Sequence, residues 1–360
     1  MTLELKNIVK RVGAETHIHE TSLKLAGEGF NILLGTTLSG KTTLMQLMAG
    51  IDKPTSGEIW FGGANVTGAK VQDRNVSMVY QQFINYPNMS VYENIASPLR
   101  VARLPAGEID KRVQGTADLL KLTPMLQRRP NELSGGQQQR TAIARALVKD
   151  ADLVLLDEPL ANLDYKLREE LREELPKLFA GRECTVVYAT TEPTEALLLG
   201  GHTALLHEGR VVQFGPTSQI YRQPDNLIAA QVFSDPPINT ARVTKSGGRI
   251  TLSETVQWDA AGSFAAVSDG TYTIGIRPHD IGPEAKNGQS VAIDGEVLVT
   301  ELSGSESVVH FGVAGGTWVS QSHGVHPFKV GEGARLYADV SRAMLFDTDQ
   351  RLVARQGEAV

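Results

Sequence analysis

Apolar positions follow two different rhythms along this chain. Phe30 to Leu34 is a short apolar run that reads as a buried strand, and Thr42 to Met48 reads as a helix. Leu153-Val154-Leu155-Leu156 is a solid run of the kind found in strands buried on both faces of a parallel sheet. Leu167, Leu171, Leu175 and Leu178 mark one face of a core-packing helix, in which Pro176 predicts a kink or break. Between Phe83 and Arg129 the pattern is helical but interrupted, and from Thr185 strands return until a turn at Gly215-Pro216. Ser234-Asp235-Pro236-Pro237 forms a proline-rich junction. Beyond it come short β-type runs divided by Gly, Asp and Ser: Tyr272 to Ile276, Val291 to Thr300, Ser307 to Val313 and Ala334 to Val340. The pattern predicts an α/β domain over residues 1–235 and a small all-β, OB-like barrel over 236–360.

Gly35-Thr36-Thr37-Leu38-Ser39-Gly40-Lys41-Thr42 fits G-x-x-x-x-G-K-[ST] and falls between the first strand and the first helix. Gly35 and Gly40 let backbone N–H groups point inward, and the helix N-terminus adds positive potential. Lys41 reaches the outer phosphates of a nucleotide, and the Thr42 hydroxyl binds magnesium. Gly35 through Thr43 are therefore the candidate nucleotide-binding residues.

Such a loop serves kinases, GTPases and ATPases alike, so the supply of metal and water decides what it does. Asp157 and Glu158 emerge at the C-terminal end of the Leu153–Leu156 run, where parallel sheets bind ligands. Asp157 is the expected Mg²⁺ ligand, and Glu158 is expected to polarise the attacking water.

A second glycine stretch, Leu133-Ser134-Gly135-Gly136-Gln137-Gln138-Gln139-Arg140, offers another phosphate cradle: Ser134 caps a helix beginning near Gln137, and two glycines allow close backbone approach. One nucleotide needs only one such loop. This stretch resembles the signature of ABC-transporter ATPases. The resemblance implies a P-loop ATPase domain with a helical subdomain at about 83–150, binding ATP and Mg²⁺. It further implies that Ser134, Gly135, Gly136 and Gln137 of one chain close over nucleotide held by the phosphate loop of another. Gln81, in Met78-Val79-Tyr80-Gln81, resembles the glutamine that senses Mg²⁺ and the attacking water, and Leu160-Ala161-Asn162-Leu163-Asp164 resembles the loop following the catalytic carboxylates.

Two positions depart from the family pattern. Related sugar-importer ATPases carry a Thr-His-Asp-like turn whose histidine contacts the γ-phosphate, whereas this chain reads Ala189-Thr190-Thr191-Glu192-Pro193. Thr191 donates a hydrogen bond but carries no charge, and losing one transition-state donor costs about 3 kcal/mol. The family's adenine-stacking aromatic is replaced at Val12, and stacking is worth about 0.5–1.5 kcal/mol beyond buried area. His17 is assigned no role. Both departures point to a second, non-identical ATPase subunit, with a plain homodimer as the alternative.

Ile274-Gly275-Ile276-Arg277-Pro278-His279 and Gly295-Glu296-Val297 with Glu301 resemble the C-terminal regulatory domain of ATPases serving maltose and glycerol-phosphate importers. The resemblance thus spans Leu3 to about Arg355. It implies two membrane permease subunits, docked beside Phe83–Met89, an extracellular or periplasmic solute-binding protein, and a place on the cytoplasmic face of the membrane. The Thr191 departure and Tyr80-Gln81-Gln82-Phe83 look like one of the paired ATPases of glycerol importers. The alternatives are a catalytically weak regulatory subunit and a soluble ABC-type ATPase unconnected with transport.

Length and charge agree with this. A chain of 360 residues, 41% of them apolar, supports two cores. No apolar run approaches the roughly 20 residues of a membrane span, and the first residues carry no signal-peptide pattern. The lone Cys184 excludes an internal disulfide and reads as a small buried residue. A formal charge of −6 gives no reason to expect nucleic acid as a partner.

Overall fold

A computed structural model describes residues 2–27, 29–161, 163–286 and 288–355, apart from the side chain of Leu167, and divides them into two compact units between Ser218 and Gln219. In the first unit, strands β1 (Leu3–Val12), β2 (Glu15–Lys24), β4 (Ser56–Phe61) and β5 (Ala64–Asn65) form an antiparallel sheet in the order β2-β1-β4-β5. The second sheet takes β3 (Phe30–Leu34), β6 (Val76–Val79), β7 (Leu153–Asp157), β8 (Thr185–Thr190), β9 (His202–His207) and β10 (Arg210–Pro216), in the order β10-β9-β3-β8-β7-β6. All of its pairings are parallel except β9 with β10.

Every residue of β3, β7 and β8 is buried, as the solid apolar runs predict. Asn31, the polar exception in β3, is satisfied: it accepts from Ala26 N–H at 2.9 Å and donates to the carbonyls of Ala26 and Val186 at 3.0 and 3.2 Å. Helix α1 (Lys41–Ala49) extends the expected helix by one residue at each end and stops at left-handed Gly50. Its Leu44, Met45, Leu47 and Met48 pack with Leu33, Leu155, Val187 and Leu206 in one core.

Helices α2 (Val91–Val101), α3 (Ala106–Leu119) and α4 (Gly135–Leu147) make up the interrupted helical block. Ser90 and Glu93 close a reciprocal capping box at the start of α2. Helix α5 (Tyr165–Phe179) buries Leu171, Leu175 and Leu178. It runs through Pro176 without ending there, and the Pro176 carbonyl still accepts from Ala180 N–H at 3.0 Å. Short helix α6 (Pro193–Leu199) follows β8.

The second unit is all-β apart from short helical turns. Its sheets have six and five strands among the described residues. The four runs expected from sequence appear as Gly270–Ile276, Ser290–Leu302, Glu306–Val313 and Gly333–Asp339. Strands Asn239–Ser246 and Gly316–His323 join them, and these two connect the sheets. Asn239 donates to the Val319 carbonyl at 2.8 Å and accepts from Val319 N–H at 2.6 Å, while Trp318 Nε1 donates to the Thr240 carbonyl at 3.1 Å. Residues between Gln219 and the proline junction belong to this unit, because the Arg277 guanidinium lies 3.9 Å from the centre of the Tyr221 ring and Leu227 N–H bonds the Gln350 carbonyl at 2.9 Å.

Asn239→Ala leaves two buried backbone groups of Val319 unpaired. It is expected to cost about 1–3 kcal/mol, seen in a denaturant melt as a lower midpoint for the transition reporting the Trp318 environment.

Candidate functional site

The loop between β3 and α1 turns through two left-handed residues, Leu38 at φ 66° and Gly40 at φ 103°. At Gly40 the φ of 103° is strained for any residue with a side chain, and a Cβ on Gly35 would lie 2.4 Å from the Leu206 carbonyl oxygen, so both positions call for glycine. Lys41 is only 4% exposed. Its Nζ donates to the carbonyls of Gly35 and Thr36 at 2.8 and 2.9 Å and stands 3.3 Å from Glu158 Oε1. The lysine thus caps the loop from which its own helix starts.

Two carboxylates leave β7 in opposite environments. Asp157 is 2% exposed; Oδ2 accepts from the Thr42 hydroxyl at 2.9 Å, and Oδ1 is buried with no hydrogen-bond partner. Burial raises the Asp157 pKa and the neighbouring Glu158 charge pushes the same way, against the Thr42 hydrogen bond and Lys41. Glu158 sits at φ 44°, a left-handed conformation that is strained for a non-glycine residue. Its N–H bonds the Ala189 carbonyl at 3.0 Å, and Gln81 Nε2 donates to Glu158 Oε2 at 2.9 Å. Lys41, Thr42, Gln81 and Glu158 line one cleft of about 850 Å³, together with Thr37, Leu38, Gly40 and Thr43. Ser39 Oγ is buried without a partner, and Gly35 N–H bonds the Thr190 carbonyl at 3.3 Å.

Other expected site residues lie elsewhere. Val12, at the end of β1, is 51% exposed and does not line the cleft; His17 and His19 of β2 do. Sequence reading assigned His17 no role and did not single out His19, because only the β1–β2 hairpin brings them alongside the loop. Ser134 caps α4, which begins at Gly135, two residues earlier than expected: its hydroxyl accepts from Gln137 N–H at 3.4 Å, and Gln137 Oε1 accepts from Ser134 N–H at 3.0 Å. Ser134 and Gly135 are exposed, Gly136 is buried, and none of this stretch lines the Lys41 cleft. Thr191 is exposed immediately after β8, and its hydroxyl has no hydrogen-bond partner among the described residues. Asn162 lies outside the described residues; its neighbours Leu160 and Leu163 are buried.

The family model for ABC transporters matches residues 18–161, and the model for TOBE domains matches residues 274–346. The chain is 36% identical to the trehalose/maltose import ATP-binding protein MalK of Thermococcus litoralis, over 96% of this chain and 97% of that one. It is also 36% identical to the sn-glycerol-3-phosphate import ATP-binding protein UgpC of Ruegeria pomeroyi, over 86% of each. Among solved structures it resembles the ATP-binding cassette MJ0796, in a dimeric post-hydrolysis state bound to ADP and Pi, with TM-score 0.54 and 29% identity over 60% of this chain and 98% of that one.

Two measurements follow from this geometry. The Asp157 carboxyl has a raised folded-state pKa, so its contribution favours the fold below the unfolded carboxylate pKa of about 3.9 and is lost as pH rises through the folded value. Asp157→Asn, which still accepts from Thr42, should therefore raise the nucleotide-free melting midpoint at pH 7, with the gain shrinking towards pH 4. His17→Ala should weaken ATP binding about two- to tenfold if the ring packs on the base, while Val12→Ala changes it less than twofold. Titration with a fluorescent ATP analogue measures both, and equal effects at the two positions would remove His17 from the base wall.

Proposed function

Because the chain belongs to the ABC-transporter ATPase family, in its carbohydrate and polyol importer branch, we propose that it powers uptake of a sugar or polyol through two partner membrane subunits. The named relatives import trehalose or maltose and glycerol 3-phosphate, and glycerol is the solute we favour here. No helix among the described residues is long and apolar enough to cross a membrane, which accords with a peripheral subunit on the cytoplasmic face. A solute-binding protein outside the membrane would deliver the cargo.

One observation carries this reading. Lys41, Thr42, Gln81 and Glu158 share a cleft, while the second phosphate cradle, Ser134 to Gln137, stands at the head of α4 outside that cleft, with Ser134 and Gly135 exposed. Two chains set head to tail would complete each other's sites. The partnerless buried oxygen of Asp157 and the adjacent Thr42 hydroxyl fit a divalent cation, and these two with Gln81 would hold Mg²⁺. Bound there, the ion would neutralise charge between the β- and γ-phosphates. Glu158, held by Gln81, would orient the attacking water, and Lys41 would turn from the loop carbonyls to the phosphates. Thr191, in place of a histidine, would leave this chain's own site slow, and a second, unlike ATPase would supply the faster one.

ATPase assays on the purified chain test this. Lys41→Ala should abolish turnover, and Thr191→His should raise it by about two to three orders of magnitude. Brisk turnover of the unaltered chain alone, unchanged by Thr191→His, would remove the case for an unlike partner. Uptake of labelled glycerol against maltose by the copurified complex tests the solute.

A further inference from the structure

The residues flanking Thr191 are tied down on every side. Thr190 Oγ1 donates to Glu195 Oε2 at 2.6 Å and accepts from Glu192 N–H at 3.0 Å, and the Tyr188 hydroxyl donates to the same Glu195 oxygen at 2.9 Å. Glu192 is held by two guanidinium groups of α5: Arg168 Nη1 donates to Oε1 at 2.7 Å and Arg172 Nη2 to Oε2 at 3.1 Å. Arg172 also stands 3.6 Å from Glu195 and 2.6 Å from Glu169. The side chains of Arg172 and Glu195 are only 11% and 5% exposed. At that burial, removing one member of a pair leaves the other charge poorly solvated.

Arg168 also reaches the opposite way. Its Nη2 lies 3.4 Å from the Ala161 carbonyl and 3.5 Å from the Leu163 carbonyl, in the segment that leaves Asp157 and Glu158. One guanidinium therefore touches both the turn bearing Thr191 and the chain running on from the catalytic carboxylates.

We infer that Arg168 and Glu192 are positioning residues for ATP hydrolysis, their ion pair fixing the Thr191 turn against α5 and tying its placement to the segment after Glu158. The inference rests on the reading that Thr191 faces the γ-phosphate. A neutral hydroxyl acts only within hydrogen-bond reach, and a misplacement of about 1 Å costs about a hundredfold in rate. Breaking the Arg168–Glu192 pair loosens the turn, which Arg172 still holds through Glu192 Oε2, without freeing β8, whose backbone bonds to β3 and β7 are independent of it. The expected signature is a loss of rate with the fold and ATP affinity kept.

Single-turnover release of γ-phosphate from Mg-ATP, with the full-length chain in excess, tests this even if turnover is slow. Glu192→Gln and Arg168→Gln should each slow release about tenfold with ATP affinity changed less than twofold. The double variant should be no slower than the worse single one, and Arg168→Lys, which retains a charge, should recover part of the rate. Losses that multiply in the double variant, a parental rate in Glu192→Gln, or a rate loss that tracks a fallen melting midpoint would overturn the inference. Thr191→Ala at the parental rate would overturn the reading of Thr191, a failure distinct from uncoupled losses at 168 and 192.

Discussion

Strand β8 is the constraint on which the site depends. It lies between β3 and β7, with Leu34 opposite Thr190 on one side and Asp157 opposite Ala189 on the other. Its last two carbonyls then accept the N–H groups of the residues just past those neighbours: Thr190 from Gly35 and Ala189 from Glu158. The first residue of the phosphate loop, the Glu158 carboxylate and the turn at Thr191 are thus set at one level by the two parallel registers of β8. A slip of one residue would exchange the two faces of β8, but both are buried and their side chains differ in size, so packing enforces the register. The chemistry at the sheet's C-terminal edge is consequently as well defined as the core beneath it.

Charge is arranged there at a cost to the fold. Asp157 is buried, its pKa is raised by that burial, and one oxygen lacks a partner, while Glu158 occupies a strained backbone conformation. Neither feature helps the chain fold. On the proposed reading both place acceptors where a cation and a water would sit, which is the usual form of stored strain at a working site. The Lys41 contacts to Glu158 and to two loop carbonyls keep these charges partly compensated, and on the proposed reading a triphosphate would compete for the lysine.

Legibility from sequence divided along local and non-local lines. The phosphate loop, the buried runs of β3 and β7 and the Ser134 cap are each encoded within about ten residues, and the structure forms all three. Pro176 misled because a proline rule judges the chain locally, whereas α5 is held across it by Leu171, Leu175 and Leu178 packed in the core. His17 was given no role and His19 was not singled out, because only a hairpin carries them to the cleft. The Arg168–Glu192 contact could not be read at all, since it joins helix to turn across 24 residues. Strands Asn239–Ser246 and Gly316–His323 were missed because each mixes polar residues into a half-exposed pattern. They are strands because their partners make them so.

On the proposed reading, Thr191 and Val12 both belong to the half of the chain that would grip its own nucleotide, although neither lines the Lys41 cleft. The half it would lend is intact: Ser134 and Gln137 close a reciprocal cap, Gly136 is buried, and the terminus of α4 is open to solvent. If substitutions at these sites were tolerated at random, the lent half would be as exposed to them as the gripping half, because a homodimer uses both equally. A subunit whose own site binds more than it turns over, and whose cradle completes a better-equipped neighbour, relaxes only the first. That asymmetry, more than either residue by itself, is the ground on which the pair of unlike ATPases is proposed.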